Sequence, residues 1–438
     1  MRASYFSVFC VAVGVVACGS GASEGDFGDL AESSQAVRKQ PPQGAPHCGC
    51  KTRGHERALQ FNDAYVELKR ENFQSQIDGK QTDLYTIKNH HGMFVKITNL
   101  GAKIEQIVVP DRDCVWGDIV LGYETIGTVQ GGQPSMGAFI GRYVNRIGNG
   151  TFVLDGVPYS IAINEAAPKN NLLHAGAKGG RFRVYDATQL SDSQIEMSLT
   201  YLDAEDADPA HGFTGFPGTL QTKVLYSVTE DNELRVAYHA KSLDKKTVIN
   251  FTSHSFFNLG NTPTEPILDH VITVNADKVL EISDRLLPTG VLRNVSHTPM
   301  DFRTPKTFAQ DYQANYDLLN LVGGGGVGIA GGYDNHYALN KSKKGKLTHA
   351  ATAYEPVSGR VMEVWSTEPG MQLFTGQNLT GQTPRDVGKG GTLYQKYYGF
   401  AMEPSHFPDS PNQPSFPSTT LDAGEEYEGK IVYKFDVR

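Results

Sequence analysis

Cysteine, clustered positive charge and apolar runs with helical spacing are scarce in this 438-residue chain. Of its five cysteines only Cys114 lies beyond the N-terminal segment, so disulfides are not expected to hold the fold together. The 40 Lys and Arg residues form no basic block and are outnumbered by 48 Asp and Glu residues, which argues against a nucleic-acid partner. The lack of helical spacing argues against a mainly helical fold.

One apolar run is present, and it lies at the N-terminus. Residues 5–17 follow the basic Arg2 and are too few to span a bilayer comfortably, so residues 1–18 predict an export signal. The run ends at Ala17-Cys18-Gly19, which resembles a bacterial lipoprotein cleavage box in which Cys18 becomes lipidated. A plain secretory signal is the alternative. Both predict an exported protein, periplasmic or at the cell surface, that meets the membrane only through a possible lipid anchor.

The following segment is poor in large apolar residues. Residues 19–70 are rich in Gly, Ser and Pro and predict a flexible tether. Cys48 and Cys50 lie within it and lack the further ligands of a zinc motif, so we expect a local disulfide or free thiols there. The folded domain is predicted over residues 71–438.

Apolar residues in this domain recur mainly at every second position. Residues 224–228 and 234–238 alternate around a polar turn, which predicts a hairpin with one buried face. Residues 152–159 predict a second hairpin, with Asp-Gly at its turn, and residues 430–437 predict a closing strand. The fold class is therefore all-β, a large antiparallel β-sandwich.

Polar residues interrupt this strand sequence at several places. Arg146 offers a planar fork of donors beside the amide of Asn145, a combination suited to sugar hydroxyls. His254 would share a strand face with Phe256 and Asn258, which suits stacking on a pyranose. Each feature also has an ordinary structural explanation, such as a surface ion pair or a core histidine.

Three further residues stand out in the same way. His174 lies between an apolar pair and a turn of small residues, and Asp334 follows two glycines that allow close approach of a ligand. A core histidine and an Asp-Asn turn are the ordinary explanations. Glu403 ends an apolar strand and opens a loop, residues 403–411, that three prolines restrict.

Together these clusters resemble the aldose 1-epimerase family in their order and flanking residues. The resemblance runs from about residue 72 to 438, and the matching stretches include 99–104, 145–147, 252–259, 287–290 and 403–411. It implies the family's large antiparallel β-sandwich with a sugar-binding cleft. The implied reaction interconverts the α and β anomers of free hexoses such as galactose and glucose, with no metal or cofactor.

The resemblance also implies a role for each matching residue. Glu403 matches the general base at the C1 hydroxyl, and His254 matches the general acid at the ring oxygen. The positions that match sugar-binding residues are His174, Asp334, Arg146, Asn145 and Gln372. Attraction between the His254 imidazolium and the Glu403 carboxylate is predicted to raise the pKa of the histidine and lower that of the glutamate. A bell-shaped pH profile follows from this pairing.

The chain departs from the family pattern at three points. Phe256 replaces a common tyrosine, Ala175 replaces a glycine, and Asn335-His336 follows Asp334 where the family often has histidine directly. The alternatives are a non-catalytic sugar-binding lipoprotein, a glycoside hydrolase or lyase with Asp334 as second carboxylate, and a sugar-phosphate epimerase. The preferred sugar and the oligomeric state, monomer or dimer, stay open.

Overall fold

The structure is a computed structural model that describes residues 59–322 and 331–438. Strands dominate it, and the predicted all-β class is confirmed. The strands are β1 (Ser75–Ile77), β2 (Lys80–Thr82), β3 (Leu84–Lys88), β4 (Phe94–Thr98), β5 (Lys103–Pro110), β6 (Trp116–Asp118), β7 (Phe139–Ile140), β8 (Arg146–Gly148), β9 (Thr151–Leu154), β10 (Val157–Ser160), β11 (Asn171–Leu173), β12 (Asp186–Ser191), β13 (Gln194–Tyr201) and β14 (Leu220–Val228). They continue with β15 (Glu233–Ser242), β16 (Thr247–Val248), β17 (Thr252–Ser253), β18 (Val271–Val274), β19 (Lys278–Ile282), β20 (Pro288–Asn294), β21 (Lys306–Thr307), β22 (Asp334–Ala338), β23 (Thr348–Tyr354), β24 (Arg360–Ser366), β25 (Gly370–Phe374), β26 (Ala401–Ser405), β27 (Thr420–Leu421) and β28 (Glu426–Val437). Residues 59–322 and 331–438 also contain two short α-helices, α1 (Ile126–Gly131) and α2 (Asp317–Val322).

The largest sheet has nine antiparallel strands in the order β12-β13-β14-β15-β28-β24-β23-β18-β21. The predicted hairpin is β14–β15, in which Val224 pairs with Tyr238 and Tyr226 with Val236. All four side chains are buried, because alternate positions of both strands face the core. The predicted closing strand is part of β28, which lies between β15 and β24 near the middle of the sheet.

A second sheet of five strands has the order β20-β19-β22-β25-β26. Its register places His336 opposite Gln372 and Gln372 opposite Glu403. Residues directly opposite each other in antiparallel strands share a face of the sheet. Three polar side chains therefore form a row across the last three strands.

The main core lies between these sheets and a four-stranded sheet, β3-β4-β5-β6. Buried tyrosines connect them: the Tyr226 hydroxyl donates to the carbonyl of Ala102 at 2.7 Å. The Tyr433 hydroxyl, from β28, donates to the carbonyl of Met402 at 3.3 Å. The hydroxyls thus find acceptors while their rings stay in apolar surroundings.

The second predicted hairpin is formed by β9 and β10. Its two turn residues have positive φ, 49° for Asp155 and 82° for Gly156. Asp-Gly is favoured at such a turn because both residues tolerate this conformation.

Residues 59–70, which fall in the segment predicted to be a tether, contact the folded domain. The Asn62 N–H donates to the carbonyl of Trp116 at 2.9 Å, and Leu68 is buried. The packed chain therefore begins ahead of the predicted boundary at residue 71. The predictions for residues 1–18, Cys18, Cys48 and Cys50 lie outside the described residues.

Cys114 is disulfide-bonded. The expectation that disulfides do not hold the fold together stays a prediction. No helix within residues 59–322 and 331–438 has the length and apolar character needed to cross a membrane.

Candidate active site

Residues that are far apart in sequence line one cavity of about 620 Å³. Its wall contains all seven residues predicted for the sugar site: Asn145, Arg146, His174, His254, Asp334, Gln372 and Glu403. The structure therefore brings the predicted set together. Their individual roles stay predictions.

His254 and Glu403 face each other in this cavity. Nε2 of His254 lies 3.5 Å from Oε2 of Glu403, and their side chains are 7% and 3% exposed. Glu403 comes from β26, while His254 follows directly after the short strand β17. Two separate sheets thus place a carboxylate and an imidazole within reach of the same small molecule.

The predicted pKa directions for this pair are wrong. Burial raises the pKa of Glu403 well above its usual value, with a further rise from Asp334 and an opposing effect from Arg146. Burial lowers the pKa of His254 to about 3. Removing both groups from water disfavours their charged forms, and this desolvation outweighs their mutual attraction.

These pKa directions decide which of the two residues, Glu403 or His254, holds the proton that they share. A pair that holds one proton favours the Glu403 carboxylic acid with neutral His254 over the carboxylate with the imidazolium. Both arrangements contain the same number of protons, so they titrate as one macroscopic state.

His174 is fixed beside His254 by the backbone of Asn145. The Asn145 N–H donates to Nδ1 of His174 at 3.2 Å, and the His174 N–H donates to the Asn145 carbonyl at 3.0 Å. Because Nδ1 accepts, the neutral ring carries its proton on Nε2. The ring meets that of His254 edge-on, with centroids 5.4 Å apart. Burial lowers the pKa of His174 well below its usual value, which keeps this ring neutral.

Arg146 is held by a carboxylate that the sequence analysis missed. Its Nε and Nη2 atoms donate to the two oxygens of Glu165 at 2.8 and 2.9 Å. Asn171 also donates to Glu165, at 3.1 Å. The guanidinium is therefore less free for a sugar than its sequence context suggests. Glu165 lies in an irregular loop, and no local pattern marks it as a partner of β8.

Asp334 and Gln372 are joined on neighbouring strands of the five-stranded sheet. Nε2 of Gln372 donates to Oδ1 of Asp334 at 2.6 Å. His336 lies behind this pair, with Nδ1 at 3.3 Å from Oε1 of Gln372. The histidine after Asp334 thus contacts Gln372, which is one of the lining residues.

Two aromatic rings form an apolar part of the cavity wall. The Phe256 ring stacks on His254 with centroids 5.2 Å apart and meets Phe374 edge-on at 5.8 Å. The expected shared face with Asn258 is not formed, because β17 ends at Ser253 and the chain is irregular beyond it. Asn258 instead donates to two backbone carbonyls.

Comparison with known proteins identifies the family. A family model described as aldose 1-epimerase matches residues 83–434. The chain belongs to the aldose 1-epimerase family. Galactose mutarotase from Bos taurus is 35% identical over 343 residues, which is 78% of this chain and 91% of the relative. Aldose 1-epimerase from Escherichia coli (strain K12) is 31% identical over 362 residues, which is 82% of this chain and 96% of the relative.

Solved structures agree on the aldose 1-epimerase fold. A GalM/aldose epimerase homologue from C. elegans superposes with a TM-score of 0.70 at 25% identity, covering 81% of this chain and 99% of that one. The predicted family and its antiparallel β-sandwich are therefore confirmed. Among the described residues, no group of three or more His, Cys, Asp or Glu side chains is arranged to hold a metal ion.

Proposed function

We propose that this protein is an aldose 1-epimerase, an isomerase that interconverts the α and β anomers of an aldose. The observation that carries the proposal is the buried contact between His254 and Glu403 at 3.5 Å in a cavity lined with hydrogen-bonding side chains. An acid and a base at this distance fit two neighbouring oxygens of one sugar ring. The names of the relatives support the same reaction.

The chemistry needs one proton removed and one added. Glu403, as carboxylate, takes the proton of the C1 hydroxyl while the His254 imidazolium gives a proton to the ring oxygen. The bond between C1 and the ring oxygen breaks, and an open-chain aldehyde forms. Rotation about C1–C2 presents the other face, and the reverse transfers close the ring. No net proton is consumed.

The effect of burial on the two pKa values adds one step to this cycle. The reactive charged pair forms when the proton of Glu403 moves to His254. The lowered pKa makes the His254 imidazolium a strong proton donor once it has formed, and the raised pKa makes the Glu403 carboxylate a strong base. Burial thus makes the reactive form less populated but more reactive.

The other lining residues have groups that suit sugar hydroxyls. Asp334 offers carboxylate acceptors, and His174 offers an Nε2–H donor near the reacting pair. Arg146 contributes positive charge close to Asp334 and Glu403, both of which favour its charged form. We propose that these three residues, with Asn145 and Gln372, hold the sugar in one orientation.

Polarimetry of freshly dissolved α-D-galactose and α-D-glucose tests the proposal. The wild type should accelerate mutarotation of at least one sugar, and Glu403→Gln should not. Glu428→Gln, an exposed position on the same C-terminal part of the chain, is the matched control. Galactose is the first substrate to test because the Bos taurus relative is named galactose mutarotase. Binding of both sugars without acceleration would instead support a sugar-binding lipoprotein.

We also propose that the protein is exported and anchored through a lipid on Cys18. The support is the sequence of residues 1–18, with its apolar run and small residues before Cys18. Labelled palmitate should enter the wild type and not Cys18→Ser, and the variant should leave the membrane fraction. Unchanged fractionation of the variant would contradict the anchor. Sedimentation of the soluble domain decides between monomer and dimer.

A further inference from the structure

A buried histidine outside the proposed acid-base pair, His336, contacts Gln372, which in turn contacts Asp334. Nδ1 of His336 lies 3.3 Å from Oε1 of Gln372, and Nε2 of Gln372 lies 2.6 Å from Oδ1 of Asp334. An amide oxygen only accepts hydrogen bonds, and an amide NH₂ only donates them. The two bonds therefore have one direction, from His336 to Gln372 and from Gln372 to Asp334.

The sheet register produces this arrangement. His336 lies opposite Gln372 across β22 and β25, and Gln372 lies opposite Glu403 across β25 and β26. Opposite residues of antiparallel strands have Cβ atoms only about 4.5–5.5 Å apart. Asp334 is two positions from His336 on β22 and so shares its face.

The His336 ring occupies a space that a neighbouring glycine leaves open. A Cβ atom at Gly370 would lie 2.2 Å from Nε2 of His336, which is much shorter than a van der Waals contact. The ring also packs edge-on against Phe407, with centroids 5.4 Å apart. His336 is 2% exposed, so these neighbours fix the ring without help from a ligand.

The ring is neutral at neutral pH. Burial lowers the pKa of His336 to about 3, although the contact with Gln372 acts in the opposite direction. Nε2 has no hydrogen-bond partner among the described residues. A single proton on Nδ1 therefore satisfies the geometry, and it serves Gln372 without placing a positive charge behind Asp334.

We propose that His336 is a positioning residue for sugar binding: it fixes the Gln372 amide so that Asp334 is held through one oxygen and offers the other to a sugar hydroxyl. Without the donor at position 336, the amide oxygen of Gln372 loses its hydrogen-bond partner and nothing holds the amide in place behind Asp334. The Gln372 side chain can then leave this position, and Asp334 loses the donor that aligns its carboxylate. This inference rests on the proposed function, because it assigns the ligand of Asp334 as a sugar.

The matched pair His336→Asn and His336→Leu tests the proposal. Both replacements have similar size and both remove the ring from Phe407, but only asparagine keeps a donor near the Nδ1 position. We expect the KM for the sugar to be about tenfold higher in His336→Leu than in His336→Asn, as for the loss of one hydrogen bond. The kcat should change little, because Asp334 contacts the sugar in both ground and transition states.

Two controls separate positioning from general packing. In a Gln372→Met background the difference between the Asn and Leu variants should vanish, because the connecting amide is gone. Equal KM values in the first pair, or a difference that persists with Gln372→Met, would overturn the proposal.

The wild type provides a test that needs no variant. Nitrogen NMR of labelled histidine should show His336 with its proton on Nδ1 and a bare Nε2. The opposite tautomer, with its proton on Nε2, would overturn the proposed hydrogen bond from His336 to Gln372. Absence of mutarotation in the wild type would overturn the proposed function alone, and galactose affinities from calorimetry would then replace KM in the Asn and Leu comparison.

Discussion

Glu403 is 3% exposed, and its carboxylate lies near both His254 and Asp334. At the scale of the residue, a base must be ionised to work, yet burial favours its neutral form. The same environment that makes the carboxylate a strong base therefore destabilises the folded protein at neutral pH. Activity and stability should respond to this residue in opposite directions.

Glu403→Gln should lower the rate by about 10²–10⁴ while stabilising the fold at neutral pH. A glutamate with a raised folded pKa contributes stability at low pH, and that contribution is lost as pH rises toward the folded pKa. The variant's advantage in free energy of unfolding should therefore grow by about 1.4 kcal/mol per pH unit over that range. Urea unfolding at pH 4.5 and 7.5 measures it, with Glu428→Gln as control. Equal stability of variant and wild type at pH 7.5 would contradict this account.

The pH profile of turnover should be bell-shaped, and its acidic limb should lie at low pH. The active pair holds one proton, and it gains a second only near the low pKa of His254, about 3. The basic limb should lie at the raised pKa of Glu403. After correction for uncatalysed mutarotation, kcat/KM should be nearly the same at pH 5.5 and 6.5. A fall centred at the ordinary histidine pKa of about 6.5 would show that His254 is not desolvated.

At the scale of secondary-structure elements, a buried carboxylate connects the nine-stranded sheet to the loop after Glu403. Glu368 accepts hydrogen bonds from Tyr238 of β15 at 2.5 Å and from Tyr427 of β28 at 2.6 Å. Its other oxygen lies 2.7 Å from Nδ1 of His406. Burial acts to raise the pKa of Glu368, but His406 and the tyrosine hydroxyls lower it below its usual value.

Glu368→Gln should lower the free energy of unfolding by about 1–3 kcal/mol, because a single amide oxygen replaces two carboxylate acceptors. The contribution of a glutamate with a lowered pKa is present above its unfolded pKa and is lost as pH falls through the folded value. The difference from wild type should therefore shrink in acid. Urea unfolding at pH 7 and pH 4 measures both effects. A difference that is independent of pH would show that the charge of Glu368 is not involved.

Elements that the sequence predicted well are those that local chemistry specifies. The Asp155-Gly156 turn and the alternation in β14 and β15 depend only on neighbouring residues. Glu165 was missed because its contact with Arg146 exists only in the folded chain. The pKa directions were predicted wrongly for the same reason, since sequence shows which groups meet but not how deeply they are buried.

At the scale of the whole molecule, buried histidines should limit stability in acid. Burial lowers the pKa of four of them, to about 4 for His270, to about 3 for His254 and His336, and well below the usual value for His174. Each is neutral when folded and free to take a proton when unfolded, where its pKa is about 6.5.

Stability should therefore fall as pH decreases below 6.5, by about 1.4 kcal/mol per pH unit for each such histidine. Three carboxyl groups whose pKa burial raises, Glu403, Glu105 and Asp409, act in the opposite direction and offset part of this fall. The net slope should therefore be smaller than the sum for four histidines. Urea midpoints at pH 7.5, 6.5 and 5.5 measure the effect, and most of the loss should come below pH 6.5. Equal midpoints at pH 6.5 and 5.5 would contradict the expectation that the histidines outweigh the carboxyl groups.

The position of β28 has a consequence for when this molecule can fold. β28, 12 residues long, follows every other strand of the largest sheet along the chain and lies between β15 and β24. The two halves of that sheet are therefore joined only once β28 has been made, so the sheet closes late in synthesis. A chain whose largest sheet stays open for so long can still cross a membrane in an unfolded state, which suits the export proposed for this protein.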